Sequence, residues 1–310
     1  MRIALTGVSG FIGSEIARAL ASAGHAVTGL VRETSRRDHI EEHVDRFVTG
    51  DLAADDSWPD LLDGADVLVH NALDRAGAWA SKEADLDRHF QTNLVNSIRL
   101  IRAAAPRPVV FVSTIAVHQD MRPRWQGAPD EDHPTRPGSY YGAYKAAVEA
   151  HLWAEHAQTG RPFAAVRPCA VYGVDPDRPR SIGWPVLAAV RDEKRYTRTG
   201  GGKFVHVRDV AAATASLAID PEQAGVAARV VNLTDCYARW SDWARLAAEV
   251  QGVDPASIGV DESTPPEPKN TFSKSAARSL AGLPDGAFTR GHAGLREHLR
   301  ELATLQQADG

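Results

Sequence analysis

The sequence predicts an α/β protein with a doubly wound parallel sheet and a smaller C-terminal lobe. Short β-rich runs alternate with helical patterns from the first residue, and a glycine-rich turn directly follows the first run. Strand–helix alternation of this kind requires right-handed crossovers, which put helices on both faces of a parallel sheet. With 310 residues, the chain is long enough to bury one large core and part of a second.

The elements of the main sheet follow one another in order. The apolar spacing after the first run predicts a helix, which Gly24 ends as a C-cap glycine. The predicted strands are Arg2–Thr6, Ala26–Val31, Arg46–Thr49, Val67–His70, Pro108–Ser113 and Phe163–Arg167. The predicted helices are Phe11–Ala23, one long amphipathic helix bearing Leu86, Phe90, Leu94, Ile98 and Ile101, and a helix carrying Tyr141 and Lys145.

After Pro168 the pattern becomes irregular, which predicts a second structural unit. Regular elements return with a helix at Val210–Ile219, a strand at Arg229–Leu233 and a final amphipathic helix. We expect residues 1–167 to form the main domain, with 204–235 returning to it. Residues 168–203 and 236–310 then form the smaller lobe, because they are too short and broken for an independent domain.

The composition argues against several classes of function. A net charge of −5, with no basic stretch to offset it, argues against a nucleic-acid partner. No apolar run reaches the length of a membrane span, and the N-terminal apolar stretch stops at Gly7, unlike a signal peptide. Cys169 and Cys236 are too few for a disulfide framework, and the 12 histidines are scattered. We expect a cytoplasmic protein without a metal, a nucleic-acid partner or a membrane partner.

A glycine-rich turn joins the first strand to the first helix. Gly7, Gly10 and Gly13 suit a tight turn, a close backbone approach to a pyrophosphate, and close helix–strand packing. The N-terminus of the helix adds free N–H groups and a partial positive charge. We therefore predict a dinucleotide site at this turn, which also includes Ser9, Phe11 and Ile12.

Tyr141 and Lys145 stand four residues apart on a predicted helix, and so lie on one face of it. A lysine ammonium there favours the phenolate and lowers the pKa of the tyrosine, which suits general acid–base work. Tyr140 and Tyr144 are rival tyrosines, but neither stands four residues before a lysine.

The Gly-x-x-Gly-x-x-Gly spacing and the Tyr-x-x-x-Lys pair resemble the extended short-chain dehydrogenase/reductase superfamily, which includes NAD-dependent epimerases and dehydratases. Arg167-Pro-Cys-Ala-Val-Tyr-Gly173 and Phe204-Val-His-Val-Arg-Asp-Val210 resemble later motifs of that family, so the resemblance covers roughly residues 1–235. It implies a Rossmann-like domain, an NAD(P) cofactor and a homodimer. It further implies cofactor contacts or support from Asp51, Leu52, Asn71, Ala72, Asn93, Ser113, Lys145, Pro168 and Val171.

The end of the second strand bears on the choice of cofactor. An acid there receives the ribose 2′-hydroxyl of NAD, whereas a guanidinium receives the 2′-phosphate of NADP. The position reads Val31-Arg32-Glu33, with Arg36 and Arg37 nearby. We favour NADP(H) on account of Arg32 and Arg36, with NAD(H) as the alternative because Glu33 is adjacent.

The resemblance assigns Tyr141 as the acid–base, Lys145 as its partner, and Thr114 as the hydroxyl that orients a substrate carbonyl. The implied reaction moves a hydride between nicotinamide and a carbonyl or secondary alcohol. His118 departs from the family pattern, where a tyrosine is usual, and is a second candidate group at the substrate. Tyr144 also departs, where serine commonly precedes the lysine.

The substrate is a small molecule whose identity the sequence leaves open. We expect its pocket to involve the loop after His70, the loop 119–139, the segment 174–184 and Lys203, with Trp79 and Trp125 among the aromatic candidates. The named substrate candidates are His118, Tyr172, Arg180, Trp184 and Lys203. Two other functions stay open, namely an epimerase of a nucleotide sugar and a non-catalytic dinucleotide sensor. Ile115 and Ala116 disfavour a sugar dehydratase, which has an acid pair there.

Overall fold

A computed structural model of the chain describes residues 1–75, 85–118, 128–268 and 270–309. Its strands are β1 (Arg2–Thr6), β2 (Ala26–Val31), β3 (Arg46–Thr49), β4 (Val67–His70), β5 (Val109–Val112), β6 (Phe163–Pro168), β7 (Ala170–Tyr172), β8 (Arg195–Tyr196), β9 (Gly201–His206), β10 (Ala228–Leu233), β11 (Cys236–Arg239) and β12 (Gly259–Val260). Its helices are α1 (Phe11–Ser22), α2 (Trp58–Leu62), α3 (Leu86–His89), α4 (Asn96–Ala103), α5 (Tyr140–Thr159), α6 (Trp184–Glu193), α7 (Val207–Ile219), α8 (Trp240–Val250), α9 (Ser275–Arg278) and α10 (Gly291–Asp309).

Seven strands form one parallel sheet in the order β10-β6-β5-β4-β1-β2-β3. Residues of α1 and α7 contribute to the apolar core on one face, and residues of α2, α4 and α5 contribute to the core on the other. The strands are almost continuously apolar, as strands covered on both faces are. The predicted α/β fold with a doubly wound parallel sheet is confirmed.

A second apolar core lies in the C-terminal part of the chain. It gathers β7, β9 and β11, which form a three-stranded sheet, with α6, α8 and α10 around them. α7 packs against α1, and β10 joins the large sheet beside β6. The chain thus crosses from the small sheet back to the large one after β9.

One buried carboxylate ties the C-terminal segment to the main sheet. Asp209, in the first turn of α7, accepts hydrogen bonds from the Arg290 guanidinium at 2.7–3.0 Å and from the Phe288 backbone N–H at 3.1 Å. A fully buried carboxylate needs such partners because its desolvation is costly. The start of α10 is therefore fixed to the helix that packs on α1.

The long amphipathic helix predicted around residues 86–101 has a different internal structure. α3 and α4 are joined without a break by a π-helical stretch at Phe90–Val95. Such a stretch adds a residue to the turn and marks a local constraint. Here Asn93 lies inside it and bonds a neighbouring loop, as described below. None of the described helices combines the length and the apolar character that crossing a membrane requires.

Candidate active site

Two glycines of the turn between β1 and α1 occupy positions that do not admit a side chain. Gly7 has a φ of +68°, and a Cβ on Gly13 would lie 2.0 Å from the Gly7 carbonyl oxygen. Gly10 is the N-cap of α1 and, having no side chain, leaves the first-turn N–H groups of the helix without a side-chain cap. Free N–H groups at a helix N-terminus suit an anion. Next to the turn, His39 Nε2 lies 3.2 Å from the Ser9 carbonyl oxygen.

A chain of hydrogen bonds fixes the end of β4 beside this turn. Thr6 Oγ1 accepts from the N–H groups of Asn71 and Ala72, both at 3.0 Å, and therefore donates to His70 Nδ1 at 2.8 Å. His70 Nε2 in turn lies 2.8 Å from Ser97 Oγ. Burial, and secondarily the charge of Lys145, lowers the pKa of His70 to about 3, which keeps this ring neutral. Sequence analysis had predicted Asn71 and Ala72 but missed Thr6, His70 and Ser97.

Asn93 holds the loop that follows β4. Its Oδ1 accepts from the Asp74 N–H at 2.8 Å, and its Nδ2 donates to the Asp74 carbonyl at 2.9 Å. Its own carbonyl accepts from Ser97 Oγ at 2.6 Å. The π-helical stretch thus turns the Asn93 amide towards the loop at the carboxyl end of β4.

The residues predicted to contact the adenosine part of the cofactor differ in how exposed they are. Arg32 is exposed directly after β2, and its backbone N–H donates to Ser35 Oγ. Arg36 is also exposed and forms an ion pair with Asp38 at 2.9 Å. Asp51 caps a turn by accepting from the Ala53 N–H at 2.8 Å. Leu52 is buried in the core beneath α2 and α4, so its backbone is the part nearest the surface.

Thr114, Tyr141 and Lys145 are brought together at the carboxyl end of β5. The Thr114 and Tyr141 side chains share a hydrogen bond. The Lys145 ammonium donates to the Val112 carbonyl oxygen and lies 6.0 Å from the centre of the Tyr141 ring. Gly142 allows α5 to lie close to the segment after β5, because a Cβ on this residue would lie 2.7 Å from the Ala116 carbonyl oxygen. The three residues predicted as catalytic therefore form one cluster.

The protonation states in this cluster differ from the simple expectation. Burial raises the pKa of Tyr141 to about 12, and the hydrogen bond with Thr114 offsets only part of that rise. Burial also lowers the pKa of Lys145 to about 7, against the opposing effect of Glu149. The predicted lowering of the Tyr141 pKa by Lys145 is therefore wrong, because burial of the ring raises this pKa and only the Thr114 hydrogen bond opposes the rise. Tyr141 is a neutral phenol here, the form that donates a proton.

The rival tyrosines differ in exposure. Tyr140 is 58% exposed at the start of α5. Tyr144 is buried beside the cluster, with its ring centre 5.6 Å from that of Tyr141 and 5.1 Å from the Lys145 ammonium. Its pKa is raised well above the ordinary value by burial and then by Tyr141.

A buried ionic cluster lies next to Thr114 and Lys145. Arg167 on β6 donates to both carboxylate oxygens of Glu149 on α5, with a closest distance of 2.6 Å, and each side chain is 3% exposed. Ser113 Oγ donates to Glu149 Oε1. Arg167 also donates to His118 Nε2 at 2.8 Å. Sequence analysis missed Glu149, although its position four residues after Lys145, on the same helix face, was a usable signal.

The candidate substrate residues are widely separated. His118 is buried beneath the segment that leads to α5, with its Nδ1 3.2 Å from the Pro134 carbonyl oxygen. Tyr172 is fully buried in the second core, where its ring packs on His206 and Trp243. Tyr172 is therefore part of the core of the C-terminal lobe. The predicted contact between Tyr172 and the substrate does not fit this buried position.

Arg180 is exposed in a turn, and Trp184 is half-buried at the start of α6 against the second core. Lys203 on β9 lies 5.4 Å from the centre of the Phe272 ring, and burial lowers its pKa. Pro168 is buried at the end of β6, and Val171 is half-buried on β7. Trp79 and Trp125 lie outside the described residues, as do parts of the two loops predicted to line the pocket.

The burial of His118 leads us to expect that the stability of the folded protein depends on pH. Burial and the neighbouring Arg167 lower its pKa to about 4, so it stays neutral in the folded protein while the unfolded chain takes up a proton below about pH 6.5. The free energy of unfolding should therefore fall as the pH drops from 6.5 to 4. His118→Gln keeps an acceptor for Arg167 but does not titrate, and should reduce this fall by about 2 kcal/mol. Urea unfolding at pH 7 and pH 4.5 measures the free energy of unfolding of the wild type and of His118→Gln. An equal fall in both proteins between these pH values would contradict the predicted contribution of His118.

Comparison with known proteins places these features in a family. The model of the NAD dependent epimerase/dehydratase family matches residues 3–233. Sterol demethylase protein B of Methylococcus capsulatus is 30% identical over 68% of this chain and 64% of its own length. A 4-hydroxy-2-methyl-3-oxo-4-farnesyl-3,4-dihydroquinoline-1-oxide ketoreductase of Stigmatella aurantiaca is 30% identical over 68% of this chain and 62% of its own. The chain spans a little over three fifths of the length of these curated relatives.

Solved structures share the fold along the whole chain. MoeE5 in complex with UDP-glucose and NAD has a TM-score of 0.77 at 24% identity, with full coverage of both chains. UDP-glucose 4-epimerase of Thermotoga maritima has a TM-score of 0.78 at 18% identity, also with full coverage. At these identities the likeness concerns the fold alone. The match of the family model over residues 3–233 shows that the chain belongs to the NAD dependent epimerase/dehydratase family, within the extended short-chain dehydrogenase/reductase superfamily.

Proposed function

We propose that the protein is an NAD(P)-dependent reductase or dehydrogenase that acts on a carbonyl or secondary alcohol of a small molecule. The observation that carries this proposal is the cluster of Thr114, Tyr141 and Lys145 at the carboxyl end of β5. Ligands of open α/β sheets bind outside the carboxyl ends of the strands. The glycine turn between β1 and α1 lies at the same end of the sheet, since it follows the carboxyl end of β1.

The residues present fit a nicotinamide dinucleotide. Gly7, Gly10 and Gly13 leave the turn open to a pyrophosphate, and the uncapped N–H groups of α1 would hold it. When bound, the nicotinamide supplies or accepts a hydride. Asn71, Ala72 and Lys145 would hold the ribose side of the molecule, as proposed from the family resemblance.

The proton chemistry follows from the states of the catalytic residues. Tyr141, a neutral phenol, would give its proton to the substrate oxygen during reduction and take it back during oxidation. Thr114 would hydrogen-bond the same oxygen and so fix the angle of attack. Lys145 would balance the phenolate that forms when Tyr141 gives up its proton.

A second candidate function is the epimerisation of a nucleotide sugar. The match to the NAD dependent epimerase/dehydratase family model favours it, whereas curated relatives such as the ketoreductase and the dihydroflavonol 4-reductases favour net reduction. A non-catalytic dinucleotide sensor is disfavoured, because a sensor needs no proton donor. NADPH absorbance with a panel of ketones and aldehydes separates the functions, since only a reductase consumes NADPH. Purified protein that retains its cofactor through gel filtration, without net consumption, would favour the epimerase.

Tyr141→Phe tests the acid–base assignment. The phenylalanine keeps the ring but removes the proton donor, so kcat should fall by about 10²-fold or more while the dinucleotide still binds. Stopped-flow turnover measures the rate, and fluorescence titration with NADPH measures binding. Tyr140→Phe is a suitable control because that side chain is exposed. Unchanged turnover in Tyr141→Phe would reject the assignment.

We propose that the cofactor is NADP(H) rather than NAD(H). Among the described residues Arg32 has no ion pair, whereas the Arg36 guanidinium is bonded by Asp38. An uncommitted guanidinium at the end of β2 suits a 2′-phosphate. Arg32 is therefore the main determinant that we expect, and Arg36 contributes less.

Arg32→Ala should raise KM for NADPH about tenfold or more and leave KM for NADH nearly unchanged, because only NADPH carries the 2′-phosphate. Arg36→Ala should have a smaller effect, since its partner Asp38 already occupies the guanidinium. Steady-state kinetics with both cofactors measures the difference. Equal effects on NADPH and NADH would remove the basis for this preference.

We also propose a homodimer formed through the exposed sides of α4 and α5. Three large apolar residues of these elements, namely Val95 directly before α4 and Tyr140 and Trp153 on α5, are 40–58% exposed. Val95→Glu should therefore shift the protein to a monomer in analytical ultracentrifugation. Val226→Glu is a matched control, because Val226 is 42% exposed outside this surface. A dimer that survives Val95→Glu would reject this interface.

A further inference from the structure

Glu149 occupies the same face of α5 as the proposed catalytic pair. Tyr141, Lys145 and Glu149 follow one another at four-residue intervals, so their side chains lie in a row. Lys145 and Glu149 are both buried. A buried carboxylate is costly unless it is fully paired, which makes its partners informative.

The first partner of Glu149 lies next to Thr114 in the chain. Ser113 Oγ donates to Glu149 Oε1, and the Ser113 backbone N–H donates to the Val166 carbonyl at 2.7 Å. Ser113 is thereby held by α5 on one side and by β6 on the other. The position of the Thr114 hydroxyl, which bonds Tyr141, depends on that attachment.

The second partner is Arg167, which bonds both Glu149 oxygens. The remaining guanidinium donors meet His118 Nε2 at 2.8 Å and the Glu131 carbonyl at 3.3 Å. Because His118 is neutral, Glu149 supplies the only full negative charge among these contacts. The Glu149 carboxylate therefore forms hydrogen bonds with the Arg167 guanidinium and acts electrostatically on the Lys145 ammonium over a longer distance.

Titratable groups from several elements surround Lys145 and Glu149. They are His70 on β4, His118, Glu131 and His133 in the segments after β5, Arg167 on β6, and Tyr141 and Tyr144 on α5 itself. Glu131 Oε1 accepts from the Asn232 N–H at 2.7 Å, at the edge of the sheet. Among the described residues, Glu149 is the carboxylate that favours the charged form of Lys145.

We propose that Glu149 is a positioning residue for the hydride-transfer centre, an inference that rests on the proposed function. Its carboxylate fixes Ser113, and through it Thr114, and its negative charge acts on the Lys145 ammonium one helical turn away on α5. It acts through these residues and contacts neither Tyr141 nor the expected site of reaction.

Three variants separate charge, geometry and general stability. Glu149→Gln keeps the shape of the side chain and removes its charge, whereas Glu149→Asp keeps the charge and withdraws it from Ser113. Glu155→Gln is the control. Glu155 lies on the same helix as Glu149 and forms an ion pair with the buried Arg161 at 2.9 Å, away from Thr114 and Lys145. Two quantities are measured in each protein, namely the pH profile of kcat with NADPH and the titration midpoint of Lys145. The chain has six lysines, so NMR of 13C-lysine-labelled protein resolves Lys145, with Lys145→Arg as the assignment.

Glu149→Gln should lower the Lys145 midpoint by about one pH unit, since a nearby opposite charge shifts a pKa by that amount or more. Lys145 then loses its proton at lower pH, so the alkaline limb of kcat moves to lower pH and kcat at pH 7 falls about tenfold, with KM little changed. Glu149→Asp should lower kcat and leave the midpoint near that of the wild type. Glu155→Gln should lower the melting temperature only.

A Glu149→Gln protein with a wild-type Lys145 midpoint and wild-type kcat would overturn the proposal, whatever its stability. If that variant does not fold, Glu149→Asp decides, and an unchanged kcat there overturns the positioning role. If the wild type consumes no NADPH with any carbonyl tested, the proposed function fails instead. The Lys145 midpoints of Glu149→Gln and Glu155→Gln then decide whether Glu149 controls the charge of Lys145.

Discussion

The ion pair between Glu149 and Arg167 is the constraint on which the candidate active site depends. Two charges removed from water lose several kcal/mol each in hydration, and only close geometry with further hydrogen bonds offsets that cost. Arg167 donates hydrogen bonds to both oxygens of Glu149. Ser113 Oγ also donates to Glu149, and His118 Nε2 accepts from Arg167. The pair also joins α5 to β6 across the end of β5. The helix that bears Tyr141 and Lys145 is thus anchored to the sheet by charge as well as by apolar packing.

The fold and the centre of the site could be predicted because their signals are local. Gly7, Gly10 and Gly13 stand within seven residues, and Tyr141 and Lys145 are one helical turn apart, so spacing alone relates them to one another. The Glu149–Arg167 pair and the burial of Tyr172 are contacts between distant parts of the chain, which spacing does not reveal. The Tyr141 pKa was misjudged for the same reason, since desolvation depends on every element packed around the ring.

The second lobe departs most from a simple reading of the sequence. Its core is rich in aromatic rings, including Tyr172, Phe204 and Trp243, which are all fully buried. Tyr172 and Trp184 were predicted as substrate contacts, but Tyr172 belongs to this small core and Trp184 packs against it. The contact between Asp209 and Arg290 joins that core to the helix on the main sheet.

Gly142 carries no functional group, yet it sets how close α5 brings Tyr141 to the segment after β5. The missing Cβ lets α5 lie against the Ala116 carbonyl, and any side chain there would push the helix outwards. The separation between Tyr141 on α5 and Thr114 after β5 is therefore set by the backbone at position 142. A larger side chain at this position would change that separation without removing any polar group of the cluster.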